Sequence, residues 1–486
     1  MLNETKCQKI ANLFTDTIQL FFITINLYMK KTLSLIILLI PIFCLSNIKL
    51  NGKLTDTNDN PIPYANIYIK NAAVGVISNL NGEFYISIPD RHIESFLVFS
   101  SIGFKSKEVL IKTFKNQENH LIKLETAIIN LNEVTIKTKA TNANKIVQKA
   151  LDHYEDNFPT SPFIGKAFLR HTEKTKTKYK WLIDAAIEVY DPGFNHSSKE
   201  IKLNINEIKR SIDNRSIDTA SIYGFYLSKI KNISFKKSLE RGNNLKNEDP
   251  KEIQRSINFQ DNRLSNPSKL FSSGLNVIRY YKQKDAIFDK NILKKHNFKI
   301  DTVLAYNSDE IYKIKITPKS PLAKLNKHFG KMRYPIGWIY IRAKDYAIIE
   351  LDYTLIRSKG RILTHMYGSK ITSSFHIKFF DFNGKMYPKH ITLKKPKANN
   401  ALNIIEKKIH GKKTNPEDYY YETQEIIFND INTDISIITK KLNRLWDSNL
   451  FTPHSYNSDF WANYSSMVET NEQRILREKL EIELQK

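Results

Sequence analysis

Chemistry in a chain of this length usually begins with histidines, carboxylates or thiols held close together, and this sequence offers few such groupings. Twelve histidines occur among 486 residues. None is followed by glutamate three positions later, the spacing that opens many zinc sites: His92 meets Ser95, His153 meets Asp156 and His171 meets Lys174. No His-Glu-x-x-His, Gly-x-Ser-x-Gly, Gly-x-Gly-x-x-Gly or phosphate-cradling loop occurs. The two cysteines are Cys7 and Cys44, so beyond residue 46 there is no thiol nucleophile, thiolate metal site or disulfide. Two carboxylate pairs remain, Asp184 with Glu188 and Asp345 with Glu350. Such pairs can share acid–base work, but on strands these residues usually face solvent. His376 and His390, with Lys378, fall on adjacent strands of one hairpin. Counting back from the Asn383-Gly384 turn does not set the two histidines opposite each other, so a half-buried or exposed role is favoured over a metal. No catalytic, cofactor-binding or metal-ligating residue is assigned, and no cofactor is expected.

The charge balance points outward. Lys+Arg 75 against Asp+Glu 50 gives a net charge of +25. An excess of this size suits anionic surfaces such as phospholipid or lipopolysaccharide headgroups, acidic glycans or nucleic acid. The lysines are spread among Asn and Ile with no dense arginine cluster, which argues against a specific nucleic-acid partner. Met29-Lys30-Lys31 precedes the apolar run Thr32–Phe43, which holds Pro41 near its end. That order is a signal peptide, residues 1–46, with cleavage expected before Asn47. Met29 as the true start and an uncleaved anchor are the alternatives; bulky Phe43 argues against lipidation at Cys44. The run is too short for a spanning helix of roughly 20 residues, so no transmembrane span is expected after cleavage. An exported chain, in the periplasm or associated with the outer membrane or cell surface, follows.

The positioning elements are mainly strands. From Ile48 to Leu124 short alternating runs recur at about ten-residue intervals, separated by Gly, Asn and Pro turns, which is the pattern of a β-sandwich. Thr55–Pro63 is a turn region, and Asn81-Gly82 is a strong tight-turn pair. Four blocks, Gly52–Asp56, Pro61-Ile62-Pro63-Tyr64-Ala65-Asn66-Ile67, Gly75–Phe84 and Ser101-Ile102-Gly103-Phe104, resemble the carboxypeptidase-regulatory-like domain. That resemblance implies a transthyretin-like sandwich of about seven strands over residues 47–125, common in exported proteins of Bacteroidetes-type bacteria. It implies an accessory to carboxypeptidases, not their zinc site, which agrees with the missing His-x-x-Glu.

Residues 126–160 read as a linking strand and helix. Leu131–Lys137 is similar to the junction before the plug of TonB-dependent receptors, but the remaining length is too short for a plug and a barrel of about 22 strands. Asn142 or Thr141 caps a helix with apolar positions Ile146, Val147, Ala150, Leu151 and Tyr154. Residues 161–440 read as a β-rich domain with a Lys- and Asn-rich insertion near 198–261, in which Lys229-Ile230-Lys231 and Lys236-Lys237 suggest a solvated face. Phe163–His171, Lys180–Tyr190, Glu310–Thr317, Gly337–Ile341, Ala347–Tyr353, Ser374–Phe382 and Lys385–Leu393 form an antiparallel meander. Residues 441–486 hold an aromatic segment, Phe460–Tyr464, and a charged helix with Ile475, Leu476, Leu480 and Leu484 on its apolar edge. The Trp338–Ile341 strand and the Met386–Lys389 return are similar in style to half-barrel lipoprotein carriers.

The fold class is mainly β (α+β overall), a sandwich followed by a larger antiparallel meander with peripheral helices. The function expected is a non-enzymatic cell-envelope binding or structural module recognising an envelope protein, a glycan or a lipid. The alternative is a periplasmic carrier of a hydrophobic ligand, lined by alternate residues of Ile311–Ile316, Trp338–Ile341 and Phe375–Phe382. An enzyme without recognisable motif stands third.

Overall fold

The computed structural model describes residues 47–115, 120–127, 142–273, 279, 292–306, 309–319, 333–357, 368–399, 404, 407, 410–452 and 455–484. The signal peptide expected at residues 1–46 and the strand expected at Leu131–Lys137 lie outside the described residues. The protein is mainly β, and its strands form two bodies.

The first is the sandwich. Strands β1 (Asn47–Asp56), β4 (Glu83–Pro89) and β7 (Leu121–Leu124) make one sheet in the order β4-β1-β7. Strands β2 (Asn66–Ile69), β3 (Gly75–Ile77), β5 (Phe96–Ser100) and β6 (Lys107–Leu110) make the other, in the order β3-β2-β5-β6. Alternate residues point inward, so Ile48, Leu50 and Leu54 of β1 meet Ile86 and Ile88 of β4 and Ile67, Ile69, Leu97 and Phe99 across the gap. The Asn81-Gly82 pair turns the chain as its type requires: Gly82 takes φ +78°, and a Cβ there would sit 2.3 Å from the Leu54 carbonyl oxygen.

The second body is one ten-stranded antiparallel sheet. Its strands are β8 (Phe163–Lys174), β9 (Tyr179–Asp191), β10 (Lys202–Arg210), β11 (His296–Tyr306), β12 (Asp309–Pro318), β13 (Arg333–Arg342), β14 (Ile348–Arg357), β15 (Ile371–Phe382), β16 (Lys385–Ala398) and β17 (Tyr419–Asn432). They run β10-β9-β8-β17-β16-β15-β14-β13-β12-β11, so the last strand, β17, closes in beside the first, β8. The Lys- and Asn-rich stretch 198–261 holds the edge strand β10 and three helices, α2 (Thr219–Lys229), α3 (Phe235–Asn243) and α4 (Pro250–Ser265).

The two faces of this sheet differ. The inner face carries Phe163, Leu169, Ile187, Ile314, Ile339, Leu351, Phe375, Ile391 and Phe428 in one continuous apolar cluster. Helix α1 (Ala143–Asp152) lies in that cluster through Ile146, Val147, Ala150 and Leu151; Asn142 caps it, its side chain accepting from the Asn144 N–H at 2.9 Å. The outer face is covered by the sandwich and by the C-terminal segment, including α5 (Ser458–Asn463) and α6 (Asn471–Leu484). Ile77 of β3, Phe168, Ala186, Ile427, Trp461 and Met467 form the apolar part of that contact. On α6 Leu476 is buried and Ile475 is exposed, so Ile475 does not belong to the packed edge read from the sequence. Among the described residues no helix is long and apolar enough to cross a membrane.

Candidate functional site

The outer face of the sheet is polar where β8, β17 and β16 run side by side. Thr172 stands opposite Thr423, and Thr423 opposite Lys394, in one cross-strand row. The next row outward pairs Lys174 with Tyr421, and the next inward pairs Arg170, Glu425, Thr392 and His376 in turn. The sandwich raises Tyr64 and Leu80 on one side of this floor, and Met467–Gln473 of the C-terminal segment form the other wall. The space enclosed is a cleft of about 520 Å³, within the usual range for small-ligand sites. Lys394 Nζ lies 4.4 Å from the Tyr421 ring centre and Lys174 Nζ 4.0 Å from that of Tyr179. Lys174 also pairs with Glu472 at 2.7 Å. The Gln473 amide donates to the Tyr179 hydroxyl at 3.1 Å, which fixes the far wall.

Tyr64 is the strained member. Its φ of +54° is left-handed, a conformation that a bulky side chain adopts only when its surroundings enforce it. Lys378 Nζ donates to the Tyr64 carbonyl at 3.0 Å, and the ring stacks on His390 with centroids 5.1 Å apart. Burial, then the charge of Glu425, pushes the Tyr64 phenol well above its ordinary value. Its ring therefore stays neutral at the junction of cleft and interface.

Behind Tyr64 sit His376 and His390, with ring centroids 5.7 Å apart. Counting from the hairpin turn sets His376 opposite Ile391 and sends His390 to the other face. The structure differs because the register shifts between Lys378 and Phe379 and leaves Lys389 as a bulge. The bulge puts His390 opposite Lys378 and both imidazoles on the outer face. Their neighbours are Glu350, 3.8 Å from His376 and 3.7 Å from Lys378, and Glu425, 3.5 Å from His390. Burial lowers both histidines below the ordinary imidazole value; Lys378 adds to it for His376, and Glu425 opposes it for His390. Burial raises Glu350 despite Lys378. Among the described residues no three His, Cys, Asp or Glu side chains group as a metal site.

The carboxylate pairs singled out in the sequence do not act as pairs. Asp184 is fully buried against Arg170 at 2.8 Å and Arg477 at 2.8 Å, whereas Glu188 binds Lys441 and Arg444. Asp345 lies in the β13–β14 turn with Arg342 at 2.7 Å, while Glu350 lies beside His376 and Lys378. The aromatic segment Phe460–Tyr464 is a plug: Trp461 is buried, and the Tyr464 hydroxyl donates to the Ala167 carbonyl at 2.7 Å.

The inner face has its own cavity, about 40 Å³, walled by Phe163, Val189, Phe271, Ile377, Phe379 and Phe428 and edged by the Arg279–Asp191 ion pair. At one end of that face a sealed polar cluster surrounds Glu422. Burial opposes its charge, but Lys397, His171 and Lys395 outweigh burial and hold the carboxyl down at about 2. Arg215 stacks 3.7 Å over Trp181 and binds Asp261 at 2.9 Å.

The cleft residues escaped the sequence reading. On β17 Glu422 and Gln424 are buried polar residues on the inner face, so the alternation that would have marked Tyr421, Thr423 and Glu425 as an outward row is erased. The Pro61-Ile62-Pro63-Tyr64 block was visible, but only as a fold signature.

Residues 50–136 match the CarboxypepD_reg-like domain family. No curated protein matches the chain. Among solved structures, a LolA superfamily protein from Nitrosomonas europaea is 10% identical, with a TM-score of 0.20 over 64% of this chain and 98% of its own. A putative outer membrane lipoprotein-sorting protein domain from Vibrio parahaemolyticus is 9% identical, with a TM-score of 0.23 over 62% of this chain and 99% of its own. A DUF1329 family protein from Desulfovibrio piger is 8% identical, with a TM-score of 0.23 over 61% and 95%. At these TM-scores the likenesses carry no argument about this chain.

Proposed function

We propose that this chain is a non-enzymatic, exported cell-envelope protein that recognises a surface glycan in the cleft between sandwich and sheet. One observation carries the reading: a cleft of about 520 Å³ whose floor and walls present threonine hydroxyls, lysine ammonium groups and tyrosine rings together. A sugar needs donors and acceptors for its hydroxyls and a flat apolar surface for its ring faces, and this cleft offers both. Lys394 and Lys176 favour an acidic sugar. The buried carboxylates Asp184, Glu188 and Glu422 all bind cations, which supports a binding role over an acid–base one.

The test is calorimetric titration of the protein with oligosaccharides, acidic and neutral, alongside Tyr421→Ala and Lys394→Ala. Both side chains are on the floor, so each variant is expected to weaken an acidic glycan about tenfold or more while leaving the melting curve in place. Binding unchanged in both variants, or no binding to any glycan, overturns the reading. Recovery of the native protein mainly from the cytoplasm overturns its envelope part, and a cleaved glycan in the titration mixture its non-enzymatic part.

A second reading, a carrier of a hydrophobic ligand, is favoured by the inner face, where Ile314, Ile316, Ile339, Ile341, Phe375, Ile377 and Phe379 line one apolar surface. The cavity of about 40 Å³ is well below the ~150 Å³ that admits benzene in an apolar core. An acyl chain therefore requires the side chains that wall the cavity, Phe194 and Phe271 among them, to move aside. Native mass spectrometry that shows only the bare polypeptide would count against this reading.

A further inference from the structure

Helices α2 and α3 form a tight antiparallel hairpin packed against α4. Their close approach depends on small residues: a Cβ on Gly242 would sit 2.6 Å from the Ala220 carbonyl oxygen, and one on Gly224 3.1 Å from that of Ser238. Tyr223, Tyr226 and Leu227 anchor the base, with Ile253 and Phe259 of α4 packed on them. The tip, Lys229 to Lys237, is built differently. Ile233 is tucked against the anchor, but Ile230 is 46% exposed and Phe235 is 71% exposed. Leu239 stands one helical turn beyond Phe235 on the same side of α3 and is 46% exposed, as the i, i+4 spacing dictates.

These apolar side chains are interleaved with Lys229, Lys231, Lys236 and Lys237, all exposed. Lys231 reaches Glu252 at 3.4 Å, and Glu252 is shared with Arg255. Lys229, Lys236 and Lys237 enter no ion pair among the described residues. Of the nearby acids, Glu248 is bound by Arg241 and Tyr223, and Glu240 is exposed further along α3.

We propose that the tip of the α2–α3 hairpin is a membrane-contact surface, with Ile230, Phe235 and Leu239 entering the headgroup region of an anionic phospholipid bilayer and the four lysines lying over its phosphates. Exposed apolar side chains rimmed by like charge mark an interaction surface. Charge decides the occupant: a second copy of this tip would bring eight lysines together, whereas an anionic leaflet neutralises them. Aromatic and aliphatic side chains with basic neighbours hold that position at lipid interfaces. Each lysine brought close to an anionic leaflet strengthens partitioning about fivefold at moderate salt.

The test uses the chain from Asn47 onward, which contains every element described, sedimented with vesicles of phosphatidylglycerol and phosphatidylcholine or of phosphatidylcholine alone. Binding is expected to the anionic vesicles and to fall with salt. Lys236→Glu with Lys237→Glu is expected to weaken it at least tenfold, and Phe235→Ala several-fold, without a change in melting temperature because these positions are exposed. Phe235→Trp should give a blue-shifted emission increment on anionic vesicles. Equal binding to neutral vesicles, unchanged binding of the charge-reversed variant, or no spectral increment at position 235 overturns the proposal. Binding confined to lipopolysaccharide aggregates overturns it also.

Discussion

Two buried cations are handled in opposite ways. Arg170 lies within the protein with both of its side-chain forks occupied: Nε and Nη2 donate to Asp184 at 2.8 and 3.0 Å, and Nη2 and Nη1 reach the Met467 carbonyl and Gln473 at 3.1 and 3.2 Å. Burial alone would raise Asp184, but Arg170, Arg477 and Lys209 outweigh it and hold the carboxyl below its usual range. Asp184→Asn strands two buried guanidiniums, and the expected loss is about 3–5 kcal/mol of stability in urea unfolding. A loss under about 1 kcal/mol would show that Glu469, 2.6 Å from Arg477, suffices alone. Lys389 has no such partner. Its Nζ donates to the Phe428 carbonyl at 2.8 Å, and burial pushes the ammonium down to about 7, with Asp430 pulling weakly the other way. Between about 7 and the model-peptide value near 10.4, the unfolded chain keeps a proton that the folded chain has released. Stability from this group therefore rises with pH across that window, by up to about 1.4 kcal/mol per unit, and is flat below about 7 where both states are protonated. Lys389→Met should remove that rise. Urea midpoints of the two proteins between about pH 6 and 10 check it, and parallel curves would refute it.

The C-terminal segment shows how one element serves two bodies. Trp461 of α5 is buried against Phe168, Ala186, Ile427 and Met467, with Lys209 5.3 Å above its ring. Asn429 donates to the Ser465 carbonyl at 2.7 Å, and the Ser87 N–H donates to the Ser465 hydroxyl at 2.9 Å, so the same turn ties sheet and sandwich. Trp461→Ala is expected to cost about 3–5 kcal/mol and to raise exchange at amides of both bodies; protection lost in the sheet alone would deny the shared role. The elements legible in the sequence were those with an unbroken period. Strands β4 and β15 alternate cleanly, β12 to β16 hold apolar and polar residues in runs long enough to read between their bulges, and α1 keeps its helical spacing. Strand β10 was hidden because a bulge at Asn206 breaks the alternation after Leu203 and Ile205, among lysines and asparagines that suggest a loop. The same device at Lys389 brings His390 to the face of His376, although the two do not stand directly opposite each other, as counting from the turn gives. The cleft was least legible of all, since its walls come from segments about 400 residues apart and its floor exists only once β17 has paired with β8 and β16.

At the scale of the whole molecule, the question is whether sandwich and sheet behave as one body. Their contact is broad and mixed. The Asn66 amide donates to the Tyr306 hydroxyl at 3.1 Å, Gly103 N–H to the Ala305 carbonyl at 2.8 Å, and the Tyr85 hydroxyl to the Ala462 carbonyl at 3.0 Å. Apolar closure comes from Ile77, which packs on Phe168 and Ile427 and takes no part in the sandwich's own core, whereas its neighbour Val76 points inward. Ile77 is thus a position where the contact can be broken without hollowing either body. Ile77→Glu puts an unpaired charge against an apolar surface, which is relieved only if the bodies separate and water enters. The wild-type protein is expected to unfold in one calorimetric transition and the variant in two, with the sandwich keeping its own core. Separation also removes Tyr64 from His390 and takes away one wall of the cleft, so the variant should lose glycan binding even though Thr423, Lys394 and Tyr421 are intact. Two transitions in the wild type, or a single unshifted transition in Ile77→Glu, would mean that the contact contributes nothing to cooperativity. Binding retained by an Ile77→Glu protein with separated transitions would place the ligand on the sheet alone.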